Sequence, residues 1–109
     1  DTVKAQDYFR KAINSNRENV ESYVNLAAIM RKERRLQEAL ELLKRPIDGK
    51  AKNPPLYLSY AIINDEIGNQ EEARKYYALY LQEGGEGGDR NSVIERLKKL
   101  EKDPAHKYR

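Results

Sequence analysis

The sequence predicts an all-α protein, and three observations support that class. The 109-residue chain aligns with itself without a gap, so that Tyr23 matches Tyr57 and Ala39 matches Ala73, each 34 positions later. Within the aligned stretches apolar residues recur at intervals of three and four, which is the period of one helix face. No stretch alternates apolar and polar residues as a half-buried strand would. The length suits a single domain covering residues 1–109.

The composition excludes several classes of protein. Cysteine is absent and histidine occurs once, so neither a disulfide framework nor a thiolate zinc site is expected. No apolar run approaches the roughly 20 residues that span a bilayer, which predicts no membrane insertion. The compartment stays open, with the cytoplasm preferred. The net charge of +3 lies in residues 89–109, because residues 1–88 carry 14 basic and 14 acidic side chains.

The first element is a helix predicted over residues 2–17, where Ala5, Phe9 and Ala12 match the second helix of the units that follow. Because no first helix precedes it, we interpret it as half a repeat. We expect the chain to be the C-terminal part of a longer array. In that case the face around Phe9 lacks its usual partner.

The first full repeat covers residues 20–53. One helical face is formed by Tyr23, Leu26, Ala27 and Met30, and after a polar turn a second is formed by Leu36, Ala39, Leu40 and Leu43. Proline removes a backbone donor and clashes with the preceding turn, so Pro46 should kink or end the second helix near Arg45.

The second full repeat covers residues 54–87. Asn53 before Pro54 is typical of a helix start, and Gly68 of a helix end, since glycine readily adopts the left-handed conformation. The repeat is rich in tyrosine at helix-packing spacing, which favours buried rings over rings that stack on bases. These residues are Tyr57, Tyr60, Tyr76, Tyr77 and Tyr80.

A last helix is predicted after the glycine-rich linker of residues 84–88. Ser92 with Glu95 three residues later is typical of a capping box, and an apolar stripe follows, made of Val93, Ile94, Leu97 and Leu100. Asp103 and Pro104 should close the helix. We interpret residues 89–103 as a capping helix over the open end of the array and residues 104–109 as a tail.

These patterns together resemble the tetratricopeptide repeat family, whose unit is a 34-residue pair of antiparallel helices. The resemblance covers about residues 2–83 and is carried by the aligned alanines and aromatics and by the Gly-Asn-Gln-Glu-Glu-Ala turn at residues 68–73. It implies helix pairs stacked as a right-handed α-solenoid with a C-terminal capping helix. Pro46, Asn64 and Tyr80 depart from the family's pattern, which bears on the turn between repeats.

The resemblance also implies a binding site, since this family holds ligands in the concave groove formed by its first helices. The corresponding residues are Glu21, Val24, Asn25, Ala28, Arg31, Lys32, Leu58, Ser59, Ile62, Asp65 and Glu66, with Pro55 beside them. Only Asn25 fits the carboxylate clamp of chaperone-binding relatives. The groove is expected to have a weakly apolar floor, with basic residues on one repeat and acidic residues on the next. The implied partner is a peptide or partner helix, although the capping helix would cover part of the groove.

The sequence offers no catalytic arrangement, so a non-enzyme without metal or cofactor is expected. His106 lies in the tail, and the acidic pairs at residues 65–66 and 71–72 are adjacent, so their members do not face each other on a helix. Two alternatives to a protein-binding groove stay open. One is self-association through the half-repeat face. The other is single-stranded RNA binding through the basic residues 31–35 and the tail, which the neutral repeats and core tyrosines disfavour.

Overall fold

The computed structural model describes residues 1–15, 19–85 and 88–101, and all regular structure within them is helical. The helices are α1 (Thr2–Ser15), α2 (Val20–Lys32), α3 (Leu36–Asp48), α4 (Pro54–Ile67), α5 (Gln70–Gln82) and α6 (Gly88–Glu101). Each helix packs against the next one along the chain, and α2 also packs against α4. The predicted all-α class is therefore confirmed for the described residues.

The helices repeat along the chain in two series. One series begins at residues 2, 36 and 70, and the other begins at residues 20, 54 and 88, so the starts within each series are evenly spaced. This spacing is the one at which the sequence aligns with itself. The last helix, α6, belongs to the second series and begins where a third unit would begin. Short turns join the helices within each pair, which makes neighbouring helices run back along each other.

The backbone signals at the helix ends recur with the same spacing. Asn19 and Asn53 each accept a hydrogen bond on the side-chain oxygen from the amide three residues later, at 3.2 and 3.0 Å. Arg34 and Gly68 both have positive φ, of 64° and 105°, just after the ends of α2 and α4. The amide that follows each of them donates back across the last turn, to the carbonyls of Met30 and Asn64, at 2.8 Å. This is the bonding of a Schellman motif, and it confirms that α4 ends at Gly68.

The core runs between the paired helices. Ala27 and Ala39 are fully buried in the first pair, and Ala61 and Ala73 are fully buried in the second. A methyl side chain at these places lets the two helix backbones approach closely. Larger apolar side chains fill the remaining space, and each contributes roughly 1.5–3 kcal/mol by leaving water. Those with almost no exposure are Tyr23, Leu26, Leu43, Leu56, Ile63 and Leu100.

Five tyrosines of the second repeat, which we call the tyrosine cluster, are part of this core. Tyr57, Tyr60, Tyr76, Tyr77 and Tyr80 are only 4–8% exposed. The rings of Tyr60 and Tyr76 meet edge to face with centroids 4.8 Å apart, a favourable geometry for aromatic pairs. Tyr80 also covers Gly85, where a Cβ atom would fall on the tyrosine ring. The prediction of buried rings is confirmed, and these rings are not available to stack on nucleotide bases.

Asn64, which stands where the family resemblance implies a large apolar residue, is 1% exposed, and both polar atoms of its side chain are hydrogen-bonded. Its amide nitrogen donates to the carbonyl of Tyr60 at 2.8 Å, and its side-chain oxygen accepts from the Asn69 side chain at 3.1 Å. Because a buried amide is costly only when its hydrogen bonds are missing, this departure is accommodated. It also ties the end of α4 to the start of α5.

Pro46 was predicted to kink or end its helix near Arg45, and the prediction that the helix ends there is wrong. Helix α3 continues to Asp48, and Pro46 is buried within it. Proline lacks one backbone N–H wherever it stands, and here that loss falls in the last turn of the helix. The final turn is closed beyond it, by bonds from the amide of Gly49 to Arg45 and from the amide of Ala51 to Pro46, both at 3.0 Å.

The expectation that Ser92 caps the start of the last helix is also wrong, although the predicted bound at residue 89 lies one residue from the observed start. Helix α6 begins at Gly88, inside the segment that was expected to be linker. Ser92 lies in the second turn, where its hydroxyl donates to the carbonyl of Gly88 at 3.5 Å. Asp89 in the first turn favours the earlier start, because a negative charge stabilises a helix N-terminus. The expected closure at Asp103 and Pro104, the tail, and residues 16–17 of the first element lie outside the described residues.

The face around Phe9 was expected to lack the first helix of its repeat. Phe9 is half-buried and packs against the core, and α1 packs against α2. The large apolar side chains that α1 does expose are Val3 and Tyr8, at 64% and 68%.

Candidate functional site

The predicted groove residues lie on two helices that contact each other. Glu21, Val24, Asn25, Ala28, Arg31 and Lys32 belong to α2, and Leu58, Ser59, Ile62, Asp65 and Glu66 belong to α4. The apolar members Val24, Leu58 and Ile62 are half-buried and pack against the core, and Ala28 is exposed. The two helices therefore present a shallow surface with an apolar floor.

The charged residues at one end of this surface bind each other. The Arg31 guanidinium donates to both carboxylate oxygens of Glu66, at 2.7 Å from Nε and 3.2 Å from Nη2. Arg34 adds an ion pair to the same carboxylate at 3.8 Å. The hydrogen bond that Arg31 donates to Glu66 raises the pKa of Arg31 above its ordinary value. The basic and acidic residues that the sequence assigned to opposite repeats thus join α2 to α4.

Asp65 joins three helices. Its carboxylate accepts two hydrogen bonds from Arg96 of α6, both at 2.7 Å, and one from the Tyr77 hydroxyl of α5 at 2.9 Å. Burial alone would raise the pKa of Asp65, but the hydrogen bonds from Arg96 and Tyr77 together outweigh it and hold the pKa below its ordinary value. For Tyr77, burial first and then the bond to Asp65 raise the pKa well above its ordinary range. Asp65 therefore serves the fold, since its side chain is only 12% exposed.

A cleft of about 200 Å³ lies where α6 meets the apolar floor, and we call it the anchor cleft. Its walls come from three helices: Leu58 and Ile62 of α4, Tyr77 of α5, and Asp89, Ser92, Val93 and Arg96 of α6. Drug-sized ligands need pockets of about 300–1,000 Å³, so the cleft is sized for a side chain rather than for a whole cofactor. Leu58 and Ile62 were predicted from the sequence, but the contributions of α5 and α6 were not.

A second depression adjoins the charged end of α2. It is lined by Ala28, Arg31, Lys32, Arg34 and Glu66. The three basic residues, Arg31, Lys32 and Arg34, form what we call the cationic cluster. Arg31 and Lys32 were predicted as groove residues. Arg34 was noted only as a possible phosphate contact, because its place beside Glu66 depends on the left-handed turn that it adopts after α2.

The described residues contain no group of three or more metal-binding side chains placed to hold an ion. Glu71 and Glu72 lie exposed in the first turn of α5, and the first-turn position favours their negative charge. His106 lies outside the described residues. None of the described helices is long and apolar enough to cross a membrane.

Comparison of the sequence with models of known protein families finds no match. A comparison with curated protein sequences also finds none.

Proposed function

We propose that this chain is a non-catalytic protein-interaction module of the tetratricopeptide repeat class. In this proposal the helix pairs stack as a right-handed solenoid, and the surface of α2 and α4 holds a peptide or partner helix. The even spacing of helix starts, helix caps and buried alanines supports the class.

The observation that carries the proposed binding site is the anchor cleft. It places half-buried Leu58 and Ile62 beside Val93 at a surface opening of about 200 Å³. Peptide-recognition grooves commonly bind one or two apolar side chains in such openings and leave the rest of the ligand exposed. We therefore propose that an aliphatic or aromatic side chain of the partner enters the anchor cleft.

A random dodecapeptide library displayed on phage tests this proposal when it is selected on the full chain. We expect enriched peptides to share an apolar residue and to lose binding to Leu58→Glu. The matched control is Leu42→Glu, because Leu42 is also half-buried but lies on α3 outside the groove. Circular dichroism of each variant verifies that the helices are retained. Enriched peptides that bind Leu58→Glu as well as wild type would refute the assignment of the site.

A second candidate function, self-association, is favoured by an observation on α1. Its residues Ala5, Phe9 and Ala12 are only half-buried, whereas their counterparts one repeat later are buried in α3. Val3 and Tyr8 add exposed apolar surface to the same helix. Sedimentation velocity across a hundredfold concentration range tests this candidate. Dimers that dissociate in a Tyr8→Lys variant would support it, and a monomer at every concentration would exclude it.

A further inference from the structure

We propose that the partner is an acidic peptide, with a carboxylate side chain at the cationic cluster and an apolar side chain in the anchor cleft. This inference rests on the proposed function, because it assigns the chemistry of a ligand for the same groove. It adds a second contact and a spacing between the two contacts.

At the charged end of the groove, the basic side chains are more exposed than the carboxylate that they bind. Glu66 is 29% exposed, whereas Arg31 and Arg34, which pair with it, are 45% and 68% exposed. Lys32 is exposed beside them. Two arginines therefore pair with one carboxylate, Lys32 lines the same depression, and the arginines are the more exposed partners. A ligand that approaches this end of the groove meets net positive charge, and an acidic side chain is its electrostatic complement.

The same layering is found at the anchor cleft. Arg96 is 44% exposed, and the Asp65 carboxylate that it binds is 12% exposed. Of the acidic residues predicted for the groove, Asp65 and Glu66 are bound by arginines, whereas Glu21 is exposed. This arrangement departs from the expectation that the second repeat presents an acidic rim. The exposed Asp89 lines the anchor cleft beside Arg96, so the excess of exposed positive charge lies at the cationic cluster.

The cationic cluster and the anchor cleft are separated by a distance that a few residues of an extended peptide span. Arg31 binds Glu66, which lies four residues after Ile62 and eight after Leu58 on α4. With a rise of 1.5 Å per helical residue, the cationic cluster lies about 6–12 Å along the helix from the anchor cleft. An extended peptide advances about 3.3 Å per residue. The acidic residue is therefore expected two to four positions away from the apolar one.

The structure favours a peptide over RNA as the ligand of these cations. Single strands gain much of their affinity by stacking bases on aromatic rings, and the tyrosine cluster is buried. The cationic cluster instead adjoins an aliphatic floor, which complements an apolar side chain better than it complements a base.

The library selection tests the inference through the charge of the enriched peptides. We expect Asp or Glu two to four positions from the apolar residue. A synthetic copy of the most enriched peptide, labelled with a fluorophore, is then measured by fluorescence polarisation beside a copy in which its acidic residues are changed to Gln or Asn. The acidic peptide should bind about fivefold more tightly at 50 mM salt, and this advantage should shrink at 300 mM salt.

Two double variants test whether the cationic cluster is responsible. Each removes two cations and places glycine at a non-glycine residue with positive φ, so that the backbone change is matched. Lys32→Gln with Arg34→Gly removes two cations from the cationic cluster and places glycine at a left-handed position. Lys50→Gly with Lys52→Gln removes two cations in the same way, because Lys50 has a φ of 61°. The control pair lies before α4 begins, at the opposite end of that helix from Glu66. Only the first pair should lose the preference for the acidic peptide.

The outcomes separate this inference from the proposed function. Peptides that need Leu58 but bind equally well with neutral residues would overturn the inference and leave the groove assignment intact. Failure to enrich any peptide would overturn both. Equal losses in the two variant pairs would show that net charge alone acts, which contradicts a site at the cationic cluster. Tighter binding of an oligouridylate than of the acidic peptide would also overturn the inference, in favour of RNA.

Discussion

The junction between the repeats and α6 makes a prediction about stability, because it depends on one carboxylate. Asp65 accepts hydrogen bonds of 2.7, 2.7 and 2.9 Å from Arg96 and Tyr77, and its side chain is 12% exposed. In Asp65→Asn one acceptor oxygen is replaced by a donor that faces the guanidinium, and the charge is lost. Hydrogen bonds to charged groups are worth about 1.5–3 kcal/mol when they are shielded from water. Asp65 accepts three such bonds, but Arg96 is partly exposed and water weakens its two. We therefore expect Asp65→Asn to lower the free energy of unfolding by about 2–3 kcal/mol, which is less than the sum of three shielded bonds.

The adjacent ion pair is the control for this prediction. Glu66 and Arg31 have similarly short contacts but are 29% and 45% exposed. Exposed ion pairs contribute about 0.2–1 kcal/mol, so Glu66→Gln should cost no more than that. Urea unfolding at pH 7, followed by circular dichroism at 222 nm, measures both losses. Equal losses in the two variants would refute the reasoning that burial and hydrogen bonding make the Asp65 junction the stronger one.

Acid titration extends the same test. The pKa of Asp65 is lowered in the folded protein, so its contribution is present above the unfolded pKa of about 3.9 and is lost as the pH falls through the folded pKa. The difference in stability between wild type and Asp65→Asn should therefore shrink below about pH 4. A difference that stays constant between pH 7 and pH 2.5 would show that the charge of Asp65 does not stabilise the fold.

Four further predictions concern the backbone and the tyrosine cluster. Gly68→Ala should cost about 1–2 kcal/mol in urea unfolding, because φ is 105° there. Arg34→Gly should change stability by less than about 1 kcal/mol, since relief of strain is offset by the entropy of the unfolded glycine. A larger loss of stability in Arg34→Gly than in Gly68→Ala would contradict the assigned turns. Gly85→Ala should lower the unfolding free energy by about 1–3 kcal/mol, because the new methyl group falls on the Tyr80 ring. Unchanged urea unfolding would show that the ring moves aside freely. Burial is the main cause that raises the pKa values of the tyrosine cluster. The buried, protonated tyrosines therefore stabilise the folded protein below the unfolded pKa of about 10, and this stabilisation is lost as the pH rises above it. Absorbance at 295 nm should then rise together with loss of helix, and full ionisation near pH 10 in an intact helical protein would contradict this.

Local signals in the sequence predicted many features of the fold. The internal alignment of the sequence anticipated the recurrence of helix starts, and Asn53 and Gly68 mark the ends of α4 as expected. These signals are local, because a cap or an αL residue acts on backbone groups within one turn. The errors at Pro46 and Ser92 have the same origin. Proline ordinarily ends a helix, but Pro46 is buried within α3. Serine followed three residues later by glutamate ordinarily begins a helix, but α6 has already begun at Gly88 when the chain reaches Ser92.

The candidate site depends much more on tertiary structure. The sequence identified Leu58 and Ile62 as groove residues, but their neighbour Val93 belongs to α6, beyond the whole of α5, and no short-range pattern connects it to them. The partners of the charged residues were equally hidden. Arg31 binds Glu66 across 35 positions, and Arg96 binds Asp65 across 31.

By itself, the sequence determined the helical class and its repeat period, because both arise from spacing along the chain. Tertiary structure alone decided which charges face solvent. Folding brings arginines over Asp65 and Glu66, and in both ion pairs the arginine is the more exposed partner. The physical reason is that the exposure of a charge depends on what packs over it, and that packing is set by contacts between helices far apart in the chain.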